Sequence, residues 1–360
     1  MFGVMVREYK HIFYYVSAMK YVDGEIFSPD GFTKGYLGFD KNNIIVEVGK
    51  GKAPEKPVAT GLIVPTFVNA HTHIGDSFIK KKKIDLPKTV EELVAPPNGL
   101  KHQLLRETAE DEILEGMEES IHLMAEGGTS HFCDFRENGF RGIQQLKHAL
   151  KGKNIFPVIL SRPNLLEYDA EEINLLLENS DGIGLSSISD WDYSNVQKVA
   201  DNVHQKDKIF AFHGSEVVRE NIDQILDLQP DFLVHMTKAT ESDLARVKEQ
   251  NIPVVVCPRS NAFYGLTPNV RLLKKVGIDI MLGTDNAMLT SPDILSELWY
   301  VKNHFREFSH EELLSMITYT PRKALNLDCG ILGPNLPAHF IVLGKKSLKP
   351  LYTAACHSDG

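Results

Sequence analysis

Cysteine is scarce and scattered: Cys133, Cys257, Cys329 and Cys356 are the only four in 360 residues. No CxxC and no Cys/His zinc-finger spacing accompanies them, which excludes a disulfide framework and suits a reducing compartment. The expectation is a cytoplasmic protein. Positive charge is also in deficit. A formal net charge of -9 disfavours nucleic acid and anionic membranes as partners, and the lysine run at 80–83 reads as a solvated loop. Long apolar runs are missing too. The stretch around residues 12–19 is short, follows Arg7, Lys10 and His11, and lacks a small-residue cleavage site. Neither a membrane span nor a signal peptide is expected from it.

Several catalytic signatures are absent as well. There is no HExxH, no GxSxG and no P-loop, and "GIGLSS" lacks the last glycine of a dinucleotide fingerprint. The HxE plus PCxxC pattern of the small zinc deaminases is missing. "SHEELL" is a helix start, with Ser309 as cap and Glu312 three residues on.

What is present is alternation. A chain that is 42% apolar and 24% charged can bury a large core. From about residue 130 the short apolar runs "HFCDF", "FPVILS", "GIGLSS", "IFAFH", "FLVH", "VVVC" and "IMLGTD" are separated by amphipathic stretches such as "SNVQKVADNVHQ". His213, His235 and Cys257 are each 22 residues apart, about the length of one βα unit. With "LIVPTFVNA" the strands number eight, and eight buried parallel strands point to a closed (β/α)8 TIM-type barrel, an α/β fold, over residues 61–328. Residues 1–60 read as short β-segments and residues 329–360 return to a strand-like pattern. The two ends are expected to build one small β-sandwich-like accessory lobe. The last twelve residues, "KPLYTAACHSDG", are weakly patterned, so that lobe is expected to be incomplete or its end disordered. The long insertion after His73, rich in Lys and Pro, reads as a lid.

Active sites of such barrels lie at the C-terminal strand ends. There the sequence places His71 and His73, Asp134, Arg136 and Glu137, Arg162, His213 and Glu216, His235, then Cys257, Arg259, Ser260 and Asn261, and finally Asp285 and Asn286. Histidines at i and i+2 on an extended strand face the same side, so His71 and His73 can reach one ion while Thr72 turns away. A further histidine and a carboxylate, His213 and Asp285, would complete a site for zinc or a similar divalent metal and leave a position for water. A lone histidine near a strand end is more often structural; several at the same end of separate strands argue for a site.

Taken in order, "PTFVNAHTH", "FHGSE", "VHMT", "CPRSN" and "LGTDNAM" resemble the strand-end motifs of the metal-dependent amidohydrolase superfamily. The likeness is greatest to the branch of cytosine deaminases, methylthioadenosine/S-adenosylhomocysteine deaminases and triazine chlorohydrolases, and it spans residues 61 to about 345. It implies one divalent metal, zinc or else iron, held by His71, His73, His213 and Asp285. It further implies that Asp285 accepts the proton of the attacking water, that His235 orients the water and polarises the reacting group, and that Glu216 of the HxxE pattern shuttles a proton to a ring nitrogen. Binuclear relatives need a lysine or glutamate at the end of strand four, where this chain has Ser186, Ser187 and Asp190; one metal is the expectation. Relatives are often dimers or larger, so a homo-oligomer acting on a small-molecule substrate is implied.

Arg136, Arg162, Lys101, Asn261 and Asn286 are candidate substrate-binding residues, and His102 lies beside Lys101 in the lid. Arginine forks suit carboxylate or phosphate. The competing reading of Arg136 is an internal salt bridge with Asp134 or Glu137. Thr66 and His339 stand where relatives usually have glycine and aspartate. Three functions follow: deamination of an N-heterocycle, another hydrolysis on the same metal site (cyclic amide opening or chloride displacement), or a non-catalytic descendant that binds a ligand or partner.

Overall fold

The structure, a computed structural model, describes residues 19–354. The expectation at residues 12–19, apart from Met19, lies outside them. Four strands come first: β1 (Lys20–Ser28), β2 (Gly31–Phe39), β3 (Ile45–Lys50) and β4 (Ala59–Pro65). Then come β5 (Phe67–His73), β6 (Thr129–Arg136), β7 (Phe156–Ser161), β8 (Gly182–Leu185), β9 (Ile209–Gly214), β10 (Phe232–His235), β11 (Val254–Val256), β12 (Ile280–Leu282) and β13 (Asp285–Asn286). Near the end lie β14 (Phe340–Leu343) and β15 (Pro350–Ala354).

Strands β5 to β12 pair in sequence order, all parallel, and β13 pairs with β5. Strand β13 continues β12 after the break at Gly283 and Thr284, so the two together are the eighth barrel strand and close the sheet on itself. The closure is tight. Thr284 donates its N–H to the His71 carbonyl at 3.0 Å, and Asn69 ties to the Thr284 hydroxyl at 2.8 Å. Helices follow the strands on the outside, as crossover connections between parallel strands require. Inside, Val68, Ala70, Cys133, Phe135, Val158, Leu160, Phe232, Val234, Val255 and Met281 fill the barrel, so it is a packed core with chemistry only at its mouth.

The other six strands form one sheet in the order β15-β14-β4-β1-β2-β3, an accessory lobe made from both ends of the chain as the sequence implies. It is a single sheet around its own core of Val22, Leu37, Phe39, Ile63, Phe340 and Val342. Residues 350–354, in the stretch expected either to leave the lobe incomplete or to be disordered, form β15, an edge strand antiparallel to β14; Ala354 opposite Phe340 gives it a buried anchor. Cys356 lies outside the described residues. The apolar run "LIVPTFVNA" divides at Thr66: β4 belongs to the accessory sheet and β5 to the barrel. The Thr66 hydroxyl donates to Ser130 at 2.7 Å and accepts from Arg322 at 3.2 Å, which pins the crossing point.

Residues 74–107 are built of short helices at Ile79–Lys82, Val90–Leu93 and Leu100–Glu107. The lysine run is a helical turn clamped by Lys81–Glu119 and Lys82–Glu112 ion pairs rather than a loop. At Ser309 the expected capping box with Glu312 is present.

Gly283 is where the eighth strand crosses the first, and a Cβ there would sit 2.6 Å from His71 Cβ and 2.9 Å from the His71 carbonyl oxygen. Gly283→Ala is expected to cost about 1–3 kcal/mol, the usual penalty for overpacking, read as a lowered midpoint in urea unfolding. An unchanged midpoint would mean that the two strands separate more easily than this contact implies.

Candidate active site and metal centre

A period-2 pleat alone would put His71 and His73 on the opposite face from Val68 and Ala70. The structure avoids this with a slip. Asn69 pairs with Phe132 but Thr72 pairs with Asp134, so β5 carries one extra residue there. Such a bulge reverses the alternation. His71 and His73 therefore turn inward onto Phe135, with ring centroids 4.4 and 6.0 Å away. Thr72 points aside and hydrogen-bonds the Asp134 carboxylate at 2.9 Å. Two more site residues sit on left-handed backbone, His235 at φ 74° and Asp285 at φ 59°. Such conformations cost of order 1–3 kcal/mol each and gather at functional positions.

The side chains converge. His213 Nε2 lies 3.2 Å from His71 Nε2 and 3.4 Å from His73 Nε2. Asp285 Oδ1 is 3.3 Å from His71 Nε2 and 3.5 Å from His73 Nε2. Potential ligand atoms of His71, His213, His235 and Asp285 all fall within 4.8 Å of one another.

Hydrogen bonds fix the tautomers of two of these rings. His73 Nδ1 is 2.7 Å from the Glu137 carboxylate and 3.0 Å from the Phe135 carbonyl, both acceptors only. His213 Nδ1 is 2.8 Å from the Leu185 carbonyl. Both rings must carry their proton on Nδ1, which leaves two bare Nε2 lone pairs facing each other beside a carboxylate oxygen. A cation among them removes that repulsion, so the donor set fits a divalent metal.

Charge states agree with this. Burial drives His71 down to about 4 and His73 to about 3, and pushes His213 well below its ordinary value; all three are neutral at pH 7. Burial opposes ionisation of Asp285, yet its hydrogen bond to His71 and the surrounding imidazoles hold its carboxyl well below the usual range. Ser260 and Asn286 donate to its two oxygens at 2.5 and 2.9 Å. Glu216 goes the other way: burial, with Asp285 adding to it, raises its carboxyl. Its Oε1 is 3.5 Å from His235 Nε2 and 3.5 Å from Asn261 Nδ2, and Asn261 Nδ2 is 3.4 Å from His235 Nδ1. An amide donor at Nδ1 places the His235 proton on Nε2, toward Glu216, so His235 differs from His73 and His213.

Above these residues lies a cavity of about 310 Å³. The segment 74–107 covers it with Val90, Glu91, Val94, Ala95, Pro96 and Lys101, as expected of a lid. Across from it stand Val217, Val218 and Tyr264. Asp190, Ser186 and Ser187, from the end of β8, line the wall where a second-metal ligand would be needed.

The candidate substrate-binding residues separate. Arg162 and Asn286 line the cavity, and so does Lys101, which is paired with Glu137 at 2.7 Å. Asn261 lies behind Glu216 and His235 instead. Arg136 does not line the cavity: it is wholly buried between Glu137 at 2.8 Å and Asp134 at 3.4 Å, the internal salt bridge of the competing reading, and a Cβ at Gly75 would collide with its guanidinium. His102 is no cation; burial lowers it to about 4, and its ring meets the Val94 carbonyl at 3.1 Å. Two site residues had no distinct signal. Glu137 looked like a partner for Arg136 alone, and Tyr264 follows a motif without belonging to it. The Tyr264 hydroxyl is buried, finds no hydrogen-bond partner among the described residues, and is kept protonated by burial and by the nearby carboxylates.

A (β/α)8 barrel with histidines and an aspartate at its strand ends is the architecture of metal-dependent hydrolases, and the comparisons narrow it. Residues 62–357 match the model of the Amidohydrolase family, and the chain belongs to that family. It is 35% identical over 340 residues, 89% of this chain and 85% of the relative, to a protein of Methanocaldococcus jannaschii called uncharacterized. It is 25% identical over 340 residues to the 5-methylthioadenosine/S-adenosylhomocysteine deaminase of Pyrococcus furiosus, covering 81% of this chain and 78% of the relative. Among solved structures, an adenosine deaminase from Xanthomonas campestris with bound zinc superposes with a TM-score of 0.69 at 18% identity, covering 91% of this chain and 85% of that one. The protein is an amidohydrolase-family hydrolase, and its family is metal-dependent. No helix of the described residues is long and apolar enough to cross a membrane.

Without metal, the site should make the fold acid-sensitive. A histidine depressed in the folded state favours folding fully above its unfolded value near 6.5, and that contribution is lost as pH falls toward the folded value. Circular-dichroism melts of chelator-treated protein should show the melting temperature dropping as pH is lowered from about 6.5 to about 4, with a shallower drop in His71→Asn. Parallel curves for the two chains would contradict the burial of a neutral imidazole at 71.

Proposed function

We propose that this enzyme hydrolytically deaminates an N-heterocycle of nucleobase or nucleoside-like type. The observation that carries the reading is Glu216, a buried carboxyl raised toward protonation and set at 3.5 Å from His235 beside the His/Asp cluster. The deaminase named among the relatives supports it. His71, His73, His213 and Asp285 would hold one divalent ion, zinc in first place and iron as the alternative. When bound, such an ion supplies Lewis acidity that makes water nucleophilic near neutral pH.

The chain's own residues do the rest. Asp285, anionic and held by Ser260 and Asn286, takes the proton of the attacking water. Glu216 gives its proton to the ring nitrogen next to the amino-bearing carbon, which draws electrons away from that carbon as the C–O bond forms. His235, with its proton on Nε2, hydrogen-bonds the tetrahedral species. The proton on Asp285 then passes to the amino nitrogen, the C–N bond breaks as the new hydroxyl returns a proton to the Glu216 carboxylate and becomes the product carbonyl, and ammonia departs. Val90, Val94, Ala95 and Pro96 from the covering segment keep bulk water from the pocket.

Arg162 suggests what else the substrate carries. It is 8% exposed, lines the cavity, and forms no ion pair among the described residues; it donates to the Gly184 carbonyl at 3.1 Å, while its Nη2 only lies 3.2 Å from His213 Nδ1, whose proton is given to the Leu185 carbonyl. A buried guanidinium lacking a carboxylate suits a substrate with an anionic arm. Small-molecule recognition in this cavity is the reading; a cytoplasmic location accompanies it as an inference from the sequence, and a homo-oligomer as what the resemblance to the family implies.

Ammonia release from a panel of amino-substituted purines, pyrimidines and pterins, run on zinc-loaded and iron-loaded protein, tests the reading. Glu216→Gln should keep its metal and lose at least about 100-fold in kcat, the lower end for a general acid–base group. Near-normal turnover in that variant, or chloride release or ring opening without ammonia, would assign the site to a different hydrolysis. Among active compounds, Arg162→Ala should raise KM about 10-fold or more for anionic ones and leave neutral ones little changed; equal effects on both would remove the anionic arm.

A further inference from the structure

The covering segment reaches deeper than the pocket wall. Lys101, on the helix Leu100–Glu107, is 1% exposed. Its Nζ donates to Glu137 Oε1 at 2.7 Å and to Asn286 Oδ1 at 3.1 Å. That Glu137 oxygen is the one that accepts from His73 Nδ1 at 2.7 Å. The Asn286 amide, oriented by the lysine on its oxygen, donates through Nδ2 to Asp285 Oδ1 at 2.9 Å. One ammonium thus starts two chains of hydrogen bonds, one ending on a histidine of the cluster and the other on its carboxylate. Arg136 occupies the second Glu137 oxygen at 2.8 Å, so Glu137 cannot rotate without breaking a buried ion pair.

We propose that Lys101 is a positioning residue for the metal centre, holding His73 and Asp285 in mutual register from the covering segment through Glu137 and Asn286. The proposal rests on the assignment of those two residues as ligands. It has a consequence of definite sign. Were Lys101 only a nearby charge, it would repel a dication, and its removal would tighten metal binding. As a positioning residue it does the opposite, because the two ligands lose the partners that set their orientation.

The test uses the full chain, stripped with chelator and titrated with Zn²⁺ against a chromophoric competitor, with melts of the metal-free form in parallel. Wild type should take up one Zn²⁺ per chain; no uptake overturns the ligand assignment and this proposal with it. With wild-type uptake established, Lys101→Met should bind Zn²⁺ about 10- to 100-fold more weakly, the range for loss of an outer-shell partner. Equal or tighter binding overturns the positioning role while leaving the ligand assignment standing. A purely structural lysine would lower the melting temperature of the metal-free chain without moving the Zn²⁺ affinity, which also overturns it. Should Lys101→Met fail to fold, Glu137→Gln and Asn286→Ala each cut one chain and leave the lysine in place. Weaker Zn²⁺ binding in both supports the proposal, and wild-type affinity in either one overturns it.

Discussion

Everything at the barrel mouth depends on imidazole nitrogens being held with their lone pairs toward one point. Neutral rings do not choose that arrangement, since lone pairs 3.4 Å apart repel. The fold imposes it from behind for two of the rings, through an acceptor on the far nitrogen: the Glu137 carboxylate for His73 and the Leu185 carbonyl for His213. Burial then keeps the rings uncharged. The protein's own hydrogen bonds and burial thus set the donor geometry, at a cost in stability that the packed barrel interior offsets. Left-handed backbone at His235 and Asp285 belongs to the same cost.

Much of this was legible in the sequence because barrels repeat. Steps of 22 residues between His213, His235 and Cys257 announced the βα unit, and polar residues closing apolar runs announced the working end. His71, His73, His213, His235, Asp285 and Glu216 do come together. Less legible was anything decided by a competition between partners. Arg136 and Arg162 look alike at neighbouring strand ends, yet one is trapped between Asp134 and Glu137 and the other opens into the cavity. Arg136 has Asp134 and Glu137 beside it in the sequence and Arg162 has no such neighbour; the fold decides that both carboxylates turn onto the Arg136 guanidinium. The last residues misled for a related reason. Residues 350–354 have a weak pattern of their own, and they are a strand because β14 offers them an edge.

The covering segment was readable as an insertion but not as a structural element. Its helices are too short to stand alone, and they hold because Phe78, Ile79, Leu93 and Leu105 are buried in the main core and Lys101 against Glu137, the partly exposed ion pairs of Lys81 and Lys82 with the helix Glu110–Glu126 adding little. Closing the pocket and bracing the histidines are thus tasks of one stretch of chain. The apolar contribution at its rim, from Val90, Val94, Ala95 and Pro96, excludes solvent where a heterocycle would lie.

The slip between Asn69 and Thr72 bears on how such a chain can vary. A strand with one residue fewer at that point would still pair with its neighbours and still bury its apolar side chains, but both imidazoles would rotate to the outer face. Chemistry would vanish from an otherwise intact barrel. A change of length inside β5 is consequently ruinous to function even where the fold survives it. A single supernumerary residue acts as the molecule's reading frame for function.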